Sequence, residues 1–152
     1  MSRASPKMRE FAARLIAHET RRNKSFETRA AAAFLAGEKL RPQLSTLVGI
    51  AGYRALLSRA LALAGPEVPW LRAVHVKADG SFDGLDELGA QVAPEKTVEG
   101  SVVVLAQLLG LLVAFIGENL TLWLAREVWP ELPLNSLDSG EGENNEKQKS
   151  HG

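Results

Sequence analysis

The chain contains no cysteine, one tyrosine and only three histidines. Each shortage removes a class of chemistry. Without cysteine there is no disulfide framework, no thiolate ligand and no nucleophilic thiol, and nothing in the composition calls for an oxidising compartment. His18, His75 and His151 are the only imidazoles. None belongs to a His-x-x-x-His pair or a Glu-His pair at ligand spacing, so a transition-metal site has no starting point. Ser45, Ser58, Ser81 and Ser101 lack the strand-turn-helix setting of a nucleophile elbow. No glycine-rich loop runs into Lys-Ser or Lys-Thr, which leaves nucleotide binding by that route unsupported. The carboxylates of Asp83, Asp86 and Glu87 are accounted for as a first-turn cluster facing a helix dipole. The residues therefore point away from an enzyme, and towards a chain that uses neither metal nor cofactor.

A long hydrophobic leader is also missing. Arg3, Lys7, Arg9 and Glu10 crowd the first ten residues, and no apolar run of export-signal length follows them. The expected location is the cytoplasm.

What is present is an uneven charge. Eighteen basic and eighteen acidic side chains cancel overall, yet residues 1–59 hold twelve Lys or Arg against four acids, and residues 60–152 hold six against fourteen. Two halves of opposite sign can complement one another within a fold or across a dimer, and the basic half can alternatively meet phosphates. A basic surface of Lys7, Arg14, Arg21, Arg22 and Lys24 carries that alternative, a nucleic-acid-binding accessory role. Interleaved aromatics are few and no helix-turn-helix or zinc module accompanies it, so complementarity is the stronger reading.

Helical periodicity dominates the chain. Ser5 before Pro6 reads as an N-cap, and Met8, Phe11, Ala12, Leu15 and Ile16 recur at helical spacing to about Arg21. A second, short helix is expected from Ser25 through Phe26, Ala30, Ala33 and Phe34 to Gly37, and a third from Pro42 to Leu63, closed by Gly65 and Pro66. Val74 and Val76 alternate with polar residues before a tight turn at 78–81, which fits a strand pair or a single extended arm equally well. Asp83 is placed to cap another short helix carrying Leu85, Leu88 and Val92. A long helix at about 101–129 follows, and the apolar pattern then gives way to the polar tail at 135–152. The expectation is a single all-α domain over 1–134, an irregular bundle of four or five helices with a long central C-terminal helix and a short extended segment near 74–82. Trp70, Trp123 and Trp129 are expected to close one end of its core or to lie at an interface.

The 79–84 segment DGSFDG invites a calcium-loop reading, but either frame fails. One places Ala90 where the bidentate acid belongs, and the other puts Lys77 at a ligand position. Calcium is not expected. The apolar run Val102–Gly117 has only Gln107 polar in sixteen residues. At 1.5 Å per residue it covers about 24 Å, short of a hydrocarbon core of about 30 Å, and Glu118 follows directly. A buried helix is the better fit than a membrane span.

Projected around one continuous helix, Gln107 and Glu118 share a side, beside a line of small residues at Ala106, Gly110 and Ala114. Ser45, Gly49 and Gly52 form a matching face on the third helix. Close packing of these two faces is expected, with Arg54 or Arg59 pairing with Glu118, since a buried carboxylate requires a partner. The leading functional expectation is an intracellular, self-associating interaction or scaffold module, a homodimer or a protein-partner adaptor. The rival is a small-molecule sensor or carrier whose helical pocket near Glu118 has Gln107, Tyr53 and Arg54 as polar anchors.

Overall fold

The computed structural model describes residues 5–21, 37–84, 92–130 and 132. The helices expected after Ser25 and after Asp83, the residues Arg22 and Lys24, and the tail at 135–152 lie outside the described residues. Helix α1 spans Pro6–Thr20 and begins as the sequence implies, with the Ser5 Oγ accepting from the Met8 amide at 3.1 Å and Pro6 in the first turn. Its expected stripe of Met8, Phe11, Ala12, Leu15 and Ile16 is buried throughout.

A 3-10 turn, Gly37–Leu40, leads into α2 (Arg41–Ala64). A second 3-10 turn, Pro69–Ala73, then feeds a two-stranded antiparallel hairpin of β1 (His75–Val76) and β2 (Phe82–Asp83). Between the open alternatives of strand pair and extended arm, the pair is what forms. Its turn is held by Asp79 Oδ1, which accepts from the Ser81 amide at 2.9 Å and from the Ser81 hydroxyl at 2.6 Å. These bonds, the hydroxyl's first, hold the Asp79 carboxyl below its ordinary range. Helices α3 (Pro94–Ile116) and α4 (Glu118–Val128) complete the all-α bundle.

Side-chain contacts fix the helix directions. Arg9, near the start of α1, grips both carboxylate oxygens of Glu67 just past the end of α2, while Glu19 near the end of α1 binds Lys39 just before α2. The two helices are thus antiparallel. The Trp70 ring, just beyond α2, lies so close to Gly100 near the start of α3 that a Cβ there would stand 2.6 Å from it. Helix α3 therefore returns antiparallel to α2 and packs against both α1 and α2.

The apolar run of α3 now has a physical explanation. Seven consecutive residues, Val103 to Leu109, are all buried, including Gln107, so every side of this stretch faces protein. The expected continuous helix over 101–129 is corrected in one respect: it divides at Gly117, whose φ of 92° and ψ of 160° lie outside any helix. A new helix starts at Glu118, with the Gly117 carbonyl accepting from the Thr121 amide at 3.2 Å and the Thr121 hydroxyl at 2.8 Å. Helix α2 breaks in the same manner at Gly49, with φ 82° and ψ 161°.

Candidate docking surface

The two glycine breaks stand at the same end of the molecule. Gly49 lies sixteen residues before Gly65 at the end of α2, and Gly117 lies seventeen after Gly100 in the first turns of α3, about 24 and 26 Å of helix away from the corner where Trp70 meets Gly100. The break at Gly49 bends α2 sharply. Arg41 Nη1 donates to the Asp79 carbonyl at 3.0 Å, and the Arg41 Cδ and the Tyr53 ring both crowd the space beside Gly80. In a straight helix residues 41 and 53 would be about 18 Å apart along the axis, so the first turns of α2 bend towards the hairpin.

Apolar side chains remain in solvent around both breaks. Leu47 and Ile50 are 45% and 44% exposed beside Gly49, and Phe115 is 64% exposed beside Gly117, with Trp123 at 48% a turn and a half further on. Ala51, Ala114 and Gly117 are exposed with them. No charged residue occurs from Pro42 to Tyr53 or from Gly100 to Gly117. Single exposed apolar residues are ordinary, but several large ones beside two helix breaks, three of them on stretches of sequence free of charge, make these positions candidates for a contact surface.

The residues expected to form the packed small-residue faces are distributed differently. Open space surrounds the Cα of both Gly49 and Gly110, with nothing within 4 Å of where a Cβ would stand, so no helix backbone crosses at either position. Gly52 would meet only Val48 of its own helix. Ala106 is in the core, Ala114 is exposed, and Ser45 is half-buried with its Oγ lacking a hydrogen-bond partner. At Gly49 the backbone angle, not crowding, is what requires glycine.

The polar candidates are carried by three different helices. Gln107 is buried in α3, whereas Glu118 opens α4, where the positive end of the helix dipole favours an acid. Their common projection assumed a continuous helix and does not survive the break. Arg54 is half-buried with its Nε unpartnered, and Arg59 is exposed. Tyr53 is fully buried beneath the hairpin turn with its hydroxyl unpartnered, and burial, aided by the negative charge of Glu38, pushes its pKa up to about 12. Of the basic surface residues, Lys7, Arg14 and Arg21 are exposed on α1 or at its end, with Arg14 poised 5.9 Å above the Phe11 ring.

The described residues include two open clefts, neither of them lined by Glu118. One, about 420 Å³, lies between the end of α2 and the hairpin beside Ser58, Arg72 and His75, and the other, about 530 Å³, lies beside Trp70 and Lys96. No group of three His, Asp or Glu side chains that could hold a metal is found among the described residues.

Sequence reasoning passed over Glu19 and Lys39, and foresaw for Trp129 a place at the end of the core or at an interface but not its hydrogen bond. Trp129 Nε1 and Lys39 Nζ both donate to Glu19 Oε2 at 2.8 Å, tying α1, the first 3-10 turn and the end of α4 together. Only their later proximity reveals them; no local spacing does. Leu47 and Ile50 could have been suspected from the positions they flank, because an interior glycine that is not selected by packing points to a break. Comparison of the chain with protein families, curated proteins and solved structures finds no match.

Proposed function

We propose that this all-α protein is an intracellular docking module that acts by binding another polypeptide, and that it carries out no chemistry of its own. The observation that carries the reading is the exposure of the large apolar side chains Leu47, Ile50, Phe115 and Trp123 near the helix breaks at Gly49 and Gly117. Solvent exposure of such side chains is costly at about 25 cal/mol per Å² of apolar surface, and association recovers it. The alternation of a basic first half with an acidic second half supports a partner of matched polarity. A photo-crosslinking residue placed at position 115, with one at the exposed hairpin position 77 as control, tests the reading in cells. A polypeptide adduct formed at 115 and not at 77 is expected, and the absence of any adduct at 115, or equal adducts at both, overturns it.

A further inference from the structure

Independently of the docking reading, we propose that the cleft between the end of α2 and the hairpin is a binding site for a small organic anion, a carboxylate or phosphate monoester carried on a short apolar body.

The floor of the cleft is apolar and held in place. Leu61 near the end of α2, Leu71 in the second 3-10 turn and Val74 just before β1 line it and are themselves buried, so the floor is an edge of the core. The backbone around it is tied down as well. The Leu71 amide donates to the Val68 carbonyl and the Val74 amide to the Leu71 carbonyl, both at 2.9 Å, and β1 is paired with β2. A preformed wall loses little freedom when a ligand fills it. At about 420 Å³ the cleft falls within the range of small-molecule sites.

Its polar groups are donors, and its charge is of one sign. Arg72 comes from the 3-10 turn, His75 from β1 and Ser58 from α2, and none of the lining residues is acidic. Asp83, the cross-strand partner of His75, is outside the lining. Among the described residues, no hydrogen bond or ion pair engages the Arg72, His75 or Ser58 side chain. Arg9 and Arg41, by contrast, are committed to Glu67 and to the Asp79 carbonyl and Glu38. Arg72 is placed by packing instead: its Cγ and Nε lie 3.5 Å from where a Gly65 Cβ would stand, so its stem crosses the end of α2. Backbone amides already occupy carbonyls at that negative helix end. Leu61 O accepts from the Gly65 amide, and Ala64 O from the amides of Glu67 and Val68, each at 3.0 Å.

These groups set the class of ligand. A guanidinium fork matches two oxygens of a carboxylate or phosphate, and the imidazole and the hydroxyl add donors on the same rim. Leu61, Leu71, Val74 and Val76 offer cover to the apolar body. A cation would meet Arg72 with no acid to offset it, and an uncharged molecule would leave the donors unused. The second cleft lacks this bias, because Glu67 and Glu99 line it together with Lys96.

Residue-resolved NMR titration of the full chain with hexanoate and with hexyl phosphate tests the proposal, with 1-hexanol, hexylamine and inorganic phosphate as comparison probes. Saturable shifts confined to the amides of residues 58–65 and 71–76 are expected with at least one of the two anions, and the tighter of them identifies the head group. Each comparison probe is expected to bind at least about tenfold more weakly. Arg72→Gln is expected to weaken the anion about tenfold or more, whereas Arg59→Gln, an equal loss of charge at an exposed position of α2 outside the cleft, is expected to leave it unchanged. Both substituted side chains are exposed, and circular dichroism checks that the variants fold. No saturation by either anion in the millimolar range, shifts centred elsewhere, hexanol or hexylamine binding as tightly as the anions, or equal losses in the two variants would each overturn the proposal. The crosslink at position 115 is read separately, so either conclusion can fail without the other.

Discussion

Trp129 Nε1 donates to Glu19 Oε2 at 2.8 Å across 110 positions of sequence, and the same carboxylate oxygen accepts from Lys39 Nζ at 2.8 Å. The indole is almost wholly buried and the Glu19 side chain is 11% exposed. Three separate elements therefore converge on one acceptor.

The Glu19 carboxyl is expected to make stability depend on acid. Burial acts to raise its pKa, but the hydrogen bonds from Lys39 and Trp129 and the nearby charges of Lys39 and His18 outweigh burial and lower it. A group whose folded pKa lies below its unfolded value of about 4.3 stabilises the fold above that value and loses the contribution as pH falls through the folded one. Unfolding free energies of wild type and Glu19→Gln from urea titration should differ most at neutral pH, by about 1–3 kcal/mol, and converge below the carboxylate range. A difference that persists unchanged into strong acid would refute the assignment.

Alanine at two glycines with equal clearance should act with opposite sign. Neither Gly117 nor Gly110 has an atom within 4 Å of a potential Cβ, but Gly117 has a φ of 92° whereas Gly110 lies within a regular stretch of α3. Gly117→Ala is expected to destabilise by about 1–3 kcal/mol from backbone strain alone. Gly110→Ala is expected to stabilise by up to about 1 kcal/mol through helix propensity. Chemical denaturation at low protein concentration compares the two.

Gly100→Ala should fail for a steric reason. Its Cβ would stand 2.6 and 2.7 Å from Cη2 and Cζ2 of Trp70, and displacing a packed ring costs about 1–3 kcal/mol. The cost should shrink in a Trp70→Leu background, where that part of the ring is gone. Equal penalties in both backgrounds would mean that the contact is not the cause.

The centre of α3 should be the most sensitive to truncation. Leu109 and Leu112 are fully buried, and Leu→Ala at either is expected to cost about 2–5 kcal/mol. The same change at Leu47, 45% exposed, should be nearly neutral for the unfolding of the dilute protein. Denaturant midpoints of the three variants give the comparison.

Much of the architecture was legible because it is written in local rules. Ser5 and Pro6 announce α1, the period of its apolar residues gives the buried stripe, and Gly65 with Pro66 marks the end of α2. The glycine breaks were not read correctly. An interior glycine is a tolerated cost of about 1 kcal/mol in a straight helix, and only the surrounding fold decides whether its backbone turns to positive φ instead. The Gly117-Glu118 step did hold a clue, an acid following a glycine as at a new helix start. The alignment of Gln107 with Glu118 failed because angular projection accumulates only while the helix is unbroken. Close packing at Gly49 and Gly110 was inferred from residue size, which permits an approach without causing one. The clasp of Glu19 by Trp129 and Lys39 was invisible because no short-range spacing encodes a contact so distant in sequence.

The partnership of α1 with α3 has a consequence for the order of synthesis. The apolar stripe of α1 is made well before its partners: the helix against which it packs begins at Pro94 and the indole that clasps Glu19 comes only at position 129. About 75 residues separate the two helices, and α3 must be made before it can cover that stripe. Such long-range closure slows folding and leaves Phe11, Leu15 and Ile16 open to misassembly in the interval. Nascent α1 is therefore a segment that a chaperone would have reason to shield until α3 has been made.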